Sequence, residues 1–325
     1  MLDLRRAALA GAMALAAIAS SPAGAQAAWP NKPVKFIVPF PPGGSTDPMA
    51  RMIGAKLTDS LGQQFLVENR PGAAGSIGAA FVAKSPADGY TFIFVFDTHG
   101  VNPFLIPNLP FDTVKDLAPV MLIGTAPMAI ATAAAKPYKS FVDVVAAAKA
   151  KPGTVSIGSV GNGSLGHLTM ILVQQASGIK LIHIPYKGGG PMTADALGGQ
   201  VDLAIGSVAV IAPHVKGGKL RAVAVTGDKR SNAMPDVPAL AEQGLPGFSA
   251  LAWWAIFAPA GVPKPVMDKF HAELVKAFNL PDVHKLLTDL GIDLVVGPPE
   301  GLQKWLADEM QRWGKVVRDN NIRAD

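Results

Sequence analysis

The fold is decided by the stretch VKFIVPFPPGGSTDP, which occupies residues 34–48. Its first five residues are mostly β-branched or aromatic, which is typical of a buried strand, and the prolines and glycines that follow prevent the strand from continuing. Beyond them, Met49, Met52, Ile53 and Leu57 recur at helical spacing. The stretch therefore predicts a strand, a glycine turn and the start of a helix.

The predicted turn lies at the N-terminus of the predicted helix. Asp47 followed by Pro48 indicates an N-cap and a first helical position, because proline has no N–H to lose there and aspartate can accept from the first turn. The amides of residues 43–46, the hydroxyls of Ser45 and Thr46 and the helix dipole favour an anion such as a carboxylate. The alternative is that the two glycines only make a sharp turn while the polar side chains compete to cap the helix.

Length and composition indicate a two-domain exported protein. The chain has 325 residues, of which 49% are hydrophobic, so it can bury a large core. Arg5 and Arg6 precede an apolar run at residues 7–19 and small residues up to Ala27, which is the order of a secretory signal peptide. We expect residues 1–27 to be removed by cleavage near Ala27 and the remainder to reside in the periplasm.

Composition also argues against several classes of protein. The chain has no cysteine, which excludes disulfides and thiolate metal sites, and its histidines lack metal-binding spacing, so we expect no metal and no cofactor. Removing Arg5, Arg6 and Asp3 from the 29 basic and 24 acidic residues leaves 27 and 23, a net charge of +4. Because this charge is scattered rather than gathered in a basic stripe, we expect no nucleic-acid partner.

The first domain is predicted to be a parallel α/β sheet. Strands at residues 34–38, 65–67 and 90–96 alternate with helical segments that begin at glycine-rich turns. This βαβαβ order predicts a parallel sheet whose ligand-binding turns gather at the carboxyl ends of the strands. Residues 102–116 are rich in proline and are predicted to form a linker.

The second half of the chain repeats this plan. Residues 120–130 are predicted to cross to a second α/β domain, and helices after residue 263 are predicted to cover the first. We predict one domain at residues 28–125 and 228–325 and the other at residues 126–227.

A second glycine turn, at residues 161–166, matches the G-x-G-x-x-G pattern of dinucleotide-binding folds. The next strand ends in Pro185-Tyr186-Lys187 without an acid to hold a ribose, so we interpret the turn as a helix opening or a second anion cradle. Serine hydrolysis is disfavoured because no serine lies in a G-x-S-x-G elbow. A third glycine turn follows at residues 188–190. Three such turns in two similar halves indicate a cleft that closes on a small anion.

Motifs along the whole chain after the leader resemble the Bug or TctC-type periplasmic solute receptors of tripartite tricarboxylate transporters. The motifs that carry the resemblance are VPFPPGGSTD at 38–47, ENRPGA at 68–73, DGYT at 88–91, TH at 98–99, GS at 158–159, PYKG at 185–188, GGKLRA at 217–222 and FAPAG at 257–261. Each motif alone is weak, whereas their common order is specific.

The resemblance implies a periplasmic binding protein type II fold, with two α/β domains and a central ligand cleft that holds a small organic carboxylate. Loop amides and hydroxyls hold the ligand in that family. The candidate ligand-binding residues, from the resemblance and from the turns together, are Phe40, Gly43, Gly44, Ser45, Thr46, Asp97, Thr98, Ser159, Asn162, Ser164 and Gly206. Asp97 and the segment at residues 205–207 depart from the family pattern, and an acid at 97 would repel a second carboxylate or attract an amine.

We therefore predict a solute-binding protein without catalytic residues, which delivers a small organic carboxylate to the membrane permease subunits of a tripartite tricarboxylate transporter. We expect a monomer that closes about residues 124–128 and 226–229 when it binds. The alternatives are an exported serine-type hydrolase that uses Ser45 or Ser164, and a sensor that presents its ligand to a membrane kinase. A dicarboxylate, an aromatic acid, an amino acid and a nicotinate-like acid are all compatible with the sequence.

Overall fold

The structure is a computed structural model that describes residues 29–323, so the predicted leader and its cleavage site lie outside the described residues. Its centre is a ten-stranded sheet. The strands are β1 (Val34–Val38), β2 (Phe65–Asn69), β3 (Thr91–Phe96), β4 (Leu117–Ala133), β5 (Ser156–Ser159), β6 (Ile182–Pro185), β7 (Leu203–Ser207), β8 (Leu220–Val225), β9 (Leu251–Pro259) and β10 (Asp293–Leu294).

Helices cover both faces of this sheet. They are α1 (Thr46–Leu61), α2 (Ser76–Ala83), α3 (Thr98–Leu105), α4 (Phe141–Ala150), α5 (Leu165–Ser177), α6 (Gly189–Leu197), α7 (Val208–Lys216), α8 (Lys264–Phe278), α9 (Pro281–Asp289) and α10 (Pro299–Asp319). Short 3-10 turns occupy Ala73–Gly75 and Leu240–Gln243. Within the described part of the chain, none of the helices has the length and apolar character that a bilayer crossing requires.

The first half of the sheet has the predicted parallel order. β1 pairs in parallel with β2 on one side and with β3 on the other. Phe36 of β1 is fully buried against Phe94 of β3 and Phe270 of α8, with ring centroids 4.8 and 5.9 Å away. The apolar face of α1 is buried as its spacing predicts, because Ile53 and Leu57 have no exposed surface. This core holds the carboxyl end of β1, and therefore the glycine turn, in place.

The second half repeats the arrangement, and β4 runs through both halves. β5 pairs in parallel with β6 and β7. Residues 117–127 of β4 pair with β9, whereas residues 128–133 pair with β7 and β8. We call β1–β3, β9 and residues 117–127 of β4 the first half, and β5–β8 and residues 128–133 of β4 the second half.

Two parts of the fold differ from the sequence-based predictions. β9 was not predicted, and it lies between β3 and β4, antiparallel to both, so the sheet is mixed rather than parallel. The predicted linker is wrong at its start, because α3 continues to Leu105 with Pro103 in its last turn. Burial of Val101 and Leu105, and a 3.0 Å hydrogen bond from Asn102 Nδ2 to the Ala74 carbonyl oxygen, hold this helix despite the proline.

Candidate functional site

A cavity lies between the two halves of the sheet, at the carboxyl ends of its parallel strands. It encloses about 510 Å³ of space, part of which opens to solvent. Its walls come from the loop after β1, the end of β3, and the N-termini of α6 and α7. The lining residues are Phe40, Pro41, Gly44, Ser45, Thr46, Asp47, Phe96, Val160, Gly188, Gly189, Met192, Gly206, Ser207 and Val210.

Asp47 is held differently from the prediction. α1 begins at Thr46, so Asp47 lies inside the first turn, and the expectation that it caps the helix is wrong. Its carboxylate instead accepts two hydrogen bonds from Arg51, at 2.9 and 3.0 Å, and one from Asn69 Nδ2 at 2.8 Å. Burial raises the pKa of Asp47, but these partners outweigh burial and leave its pKa below the usual value. Arg51 thus neutralises the one acidic side chain of the lining.

Ser45 is tied to the core of the first half. The indole Nε1 of Trp254 donates a hydrogen bond of 3.0 Å to Ser45 Oγ. Trp254 is fully buried and packs against Phe96, with ring centroids 5.3 Å apart. Because Ser45 Oγ accepts from the indole, its own hydroxyl hydrogen can be donated toward the cavity.

The second half contributes Ser207, which the sequence analysis missed. Ser207 ends β7 and precedes α7, the position that Ser45 has before α1. Ser207 is 3% exposed, and its Oγ has no hydrogen-bond partner in residues 29–323. A serine at the junction of a buried strand and a helix was the signal that could have identified it. The wall at residues 205–207, which departs from the family pattern, therefore carries a hydroxyl.

Three helices begin at the cavity without a side-chain cap. They are α1 after Ser45, α6 after Gly188 and α7 after Ser207. By contrast, α5 begins nearby and its cap is the side chain of Ser164. Uncapped N-termini leave first-turn amides for other acceptors and place the positive ends of three helix dipoles at one cavity.

The glycine turns of the two halves touch each other beside this cavity. A Cβ built on Gly43 would lie 3.4 Å from the Gly190 Cα, and one on Gly190 would lie 3.3 Å from the Pro42 carbonyl oxygen. A Cβ on Gly188 would lie 3.4 Å from the ring of Pro41. The glycine turns of the two halves are therefore in close contact, which means that the halves are in a closed arrangement.

The predicted site residues fall into four places. Phe40, Gly44, Ser45, Thr46 and Gly206 line the cavity. Gly43 lines an adjoining groove, and Thr98 lies with Phe40 around a crevice that is too narrow for a water molecule. The lining of the cavity does not include Asp97, Ser159, Asn162 or Ser164.

Ser159 and Ser164 belong to a buried polar cluster in the second half. Ser159 Oγ is hydrogen-bonded to His183 Nε2 at 2.7 Å, and Ser164 Oγ donates to Ser159 Oγ at 3.4 Å. The rings of His183 and His167 stack with centroids 4.0 Å apart. Burial, with the neighbouring His167, lowers the pKa of His183 to about 4. Ser159 has no exposed surface, and neither member of this serine–histidine pair lines the cavity.

Asp97 is buried without a hydrogen bond of ordinary geometry. Neither carboxylate oxygen has such a partner within the described residues, and the residue is 2% exposed. Burial, reinforced by Glu309, raises the pKa of Asp97 well above its usual range, although the nearby amides of Leu165 and Thr98 partly offset this. The neutral form is therefore favoured, and it carries no charge that would repel a carboxylate.

The residues that the structure describes contain no group of three His, Asp or Glu side chains placed to hold a metal ion. The cavity also lacks a lysine or arginine in its lining. Apart from Asp47, which Arg51 neutralises, its polar groups are hydroxyls and backbone amides at helix N-termini. Such groups bind an anion through directed hydrogen bonds, which are stronger to a charged acceptor than to a neutral one.

Comparison with known proteins gives the class and then the family. The chain is 32% identical to Rpa4515 of Rhodopseudomonas palustris, solved with adipate, with a TM-score of 0.87 over 91% of this chain and 99% of that one. It is also 32% identical to MatC of the same organism, solved with bound malate, with a TM-score of 0.82 over 89% and 100% of the chains. The fold is therefore that of a type II periplasmic binding protein with two α/β domains.

The family is equally clear. The model of the tripartite tricarboxylate transporter family receptor matches residues 49–322. The chain is also 38% identical to BugT of Bordetella pertussis over 297 residues, which are 91% of each chain. The chain belongs to this family, and the resemblance predicted from its motifs is confirmed. The family consists of solute-binding receptors, so the chain is a receptor and not an enzyme.

Proposed function

We propose that the protein is a periplasmic receptor that captures a small organic carboxylate in the cavity between its halves and delivers it to the permease subunits of a tripartite transporter. The observation that carries this proposal is the convergence of three uncapped helix N-termini and the hydroxyls of Ser45 and Ser207 on one enclosed cavity. A carboxylate has the charge and the several acceptor sites that such donors need.

The two relatives solved with ligands support this assignment. Rpa4515 was solved with adipate and MatC with malate, and both ligands are carboxylates. Each relative covers at least 89% of this chain, with a TM-score of at least 0.82. Carboxylate binding through helix N-termini therefore agrees with the ligands of these structures.

The site residues follow from this proposal. Ser45, the amides at Gly44 and Thr46, and the amide at Gly189 form the anion-binding part, with Ser207 opposite. Phe40 and Gly206 complete the wall. For Asp97, Thr98, Ser159, Asn162 and Ser164 a direct role in binding stays a prediction from the sequence.

Export is part of the proposal. The leader predicted at residues 1–27 would direct the chain to the periplasm, where a transporter receptor operates. N-terminal sequencing of the protein from a periplasmic extract tests this directly. We expect a start close to residue 28, and recovery of Met1 in the membrane fraction would contradict export with cleavage.

A binding experiment tests the carboxylate itself. A thermal-shift screen of the processed protein against mono- and dicarboxylates should reveal ligands that raise the melting temperature in a saturable way. At 100 times its dissociation constant, a ligand adds about 2.7 kcal/mol to the free energy of unfolding. Matched alcohols and amides of the best acid are the control, because they keep its shape without the charge. Equal stabilisation by acid and amide would refute a site built for an anion.

A further inference from the structure

An apolar groove lies against the cavity. It is formed by α1, α6, α7 and α9, and it encloses about 1180 Å³, part of which opens to solvent. Gly44, Ser45 and Val210 line both the cavity and the groove. The two spaces therefore adjoin at these three residues.

The side chains of the groove are mostly apolar. Met49 and Met52 come from α1, and Leu286 comes from α9, where it is 49% exposed. Exposed apolar surface beside a binding cavity indicates a place where apolar atoms are bound. Unbranched methionine side chains also adapt to ligands of different shape.

The groove has few groups that could hold a second charge. Besides Ser45, its polar side chains are Thr193 and His214, and it has no lysine or arginine in its lining. Thr193 Oγ1 is buried and has no partner in residues 29–323. A second carboxylate would lose hydration here and would find only these few side-chain hydrogen-bonding groups, which is unfavourable.

We infer that the ligand is a monocarboxylate with an apolar chain or ring, whose carboxylate lies in the cavity and whose apolar part extends past Ser45 and Val210 into the groove. This inference rests on the proposed function and names the class of carboxylate. It differs from the short dicarboxylates of the two ligand-bound relatives, because the groove that holds its other end is mostly apolar.

A series of straight-chain acids tests the inference by calorimetry. Acetate, butyrate, hexanoate and octanoate differ by two methylene groups at each step. Adipate has the same six carbons as hexanoate, with a carboxylate in place of the terminal methyl group. We expect affinity to rise about fourfold for each methylene that enters the groove. Hexanoate should bind at least tenfold more tightly than adipate. Tighter binding of adipate, or affinity that does not rise with length, would overturn the inference.

A variant that fills the groove gives an independent test. Ala194 is exposed on α6, lines the groove and is absent from the lining of the cavity. Ala194→Trp should weaken octanoate at least tenfold and leave butyrate unchanged. The matched control is Ala55→Trp, on the exposed side of α1 and outside both spaces.

The outcomes separate this inference from the proposed function. If short acids bind but Ala194→Trp leaves octanoate binding unchanged, the groove does not hold the ligand and the proposed function stands. If no carboxylate of the series or of the wider screen binds, both the inference and the proposed function are wrong.

Discussion

Ser45 shows how one side chain is prepared for a ligand by the core behind it. The indole of Trp254 donates to its hydroxyl oxygen, and Trp254 is fixed by complete burial in β9. The hydroxyl is thereby oriented before a ligand arrives, which lowers the entropy lost on binding. Sequence alone could identify Ser45 from the glycine turn, but not Trp254, because the two residues are 209 positions apart.

Ser45→Ala is expected to weaken carboxylate binding by about 1.5–3 kcal/mol, since a hydrogen bond to a charged group has that magnitude. Backbone donors remain, so binding should weaken without vanishing. Isothermal titration calorimetry with the best acid of the screen measures the change. Unchanged affinity would show that Ser45 only supports the loop.

Ser164→Ala is compared with Ser45→Ala because Ser164 caps a helix and does not line the cavity. The Ser164 hydroxyl accepts from the His167 amide and caps α5, so its removal should cost about 1 kcal/mol of folding stability. Urea denaturation measures that loss. The sequence-based prediction that Ser164 also binds the ligand is tested by the same titration that is used for Ser45.

His99 gives a pH dependence that the structure fixes in sign. Its ring is buried between Phe111 and Phe257, its Nε2 has no partner among residues 29–323, and burial lowers its pKa to about 4. In the unfolded chain the pKa of histidine is about 6.5. Between these values the unfolded chain binds a proton that the folded protein does not, so folding stability falls as pH decreases from about 6.5 towards 4.

We expect His99→Phe to lose less stability than the wild type on acidification. Between pH 7 and pH 5 the difference between the two proteins should change by about 2 kcal/mol in favour of the variant. Comparing the proteins with each other removes the contribution of Asp97 and Glu309, whose raised pKa values act in the opposite direction. Urea denaturation at both pH values is the measurement. Parallel losses in the two proteins would contradict the buried, neutral histidine.

At the scale of elements, the N-terminus of α6 is both a ligand-binding element and a closure surface. Gly189 and Gly190 both face the first half, but only Gly190 approaches it so closely that a larger residue would be crowded. A Cβ on Gly190 would lie 3.3 Å from the Pro42 carbonyl oxygen, whereas a Cβ on Gly189 would lie 3.6 Å from the Gly44 Cα, an ordinary contact. Neither residue has a positive φ, so alanine suits both in the helix itself.

Gly190→Ala should therefore weaken ligand binding by about 1 kcal/mol, because overpacking of a tight contact penalises the closed arrangement. Gly198→Ala is the matched control, because Gly198 follows the last residue of the same helix, a Cβ there would lie no closer than 3.5 Å to another atom, and the residue lines neither the cavity nor the groove. Calorimetry on both variants gives the comparison. Equal affinities for the two variants would show that these turns do not meet in the bound protein.

Several elements could be predicted from local sequence, and others could not. β1, the glycine turn and α1 follow from a short apolar run, two glycines and helical spacing at residues 34–57. β9 was missed because LAWWAIFAP is continuously apolar and has no alternation that distinguishes a central strand. α3 was missed because Pro103 indicates a break, while the contacts that stabilise it lie elsewhere in the chain.

At the scale of the whole molecule, Thr226 links the two crossing segments to each other. Thr226 is fully buried, and its Oγ1 accepts from the Met128 amide at 2.9 Å and donates to the Ala250 carbonyl oxygen at 2.6 Å. Its own amide donates to the Met128 carbonyl oxygen at 2.9 Å. β4 changes its partner strands between Pro127 and Met128, next to these hydrogen bonds. Both features lie in the segments that the sequence predicted as hinges, which makes rotation of the halves about Thr226 the expected motion.

The repeated plan of two halves was predictable because each half carries its own strand–turn–helix pattern. The cavity was only partly predictable. Residues 40–46 were found because their motif is local, whereas Ser207 and Val210 line the cavity only because the tertiary structure brings the end of β7 and the start of α7 to the glycine turn of the first half. Ser159 and Ser164 were predicted for the ligand from motif position, and Asp97 because it departs from the family pattern. The burial of all three depends on tertiary contacts that no local pattern reveals.

The central claim is that a carboxylate is enclosed by two halves that close on it. Small-angle X-ray scattering of the processed protein, with and without a saturating carboxylate from the screen, tests this most directly. Neither half surrounds the cavity alone, so each hydrogen bond from the ligand to both halves favours the closed arrangement over an open one. We expect the radius of gyration of the ligand-free protein to exceed that of the closed structure, and to fall to the value of the closed structure at saturation. A larger radius that stays unchanged at saturation would contradict closure on the ligand.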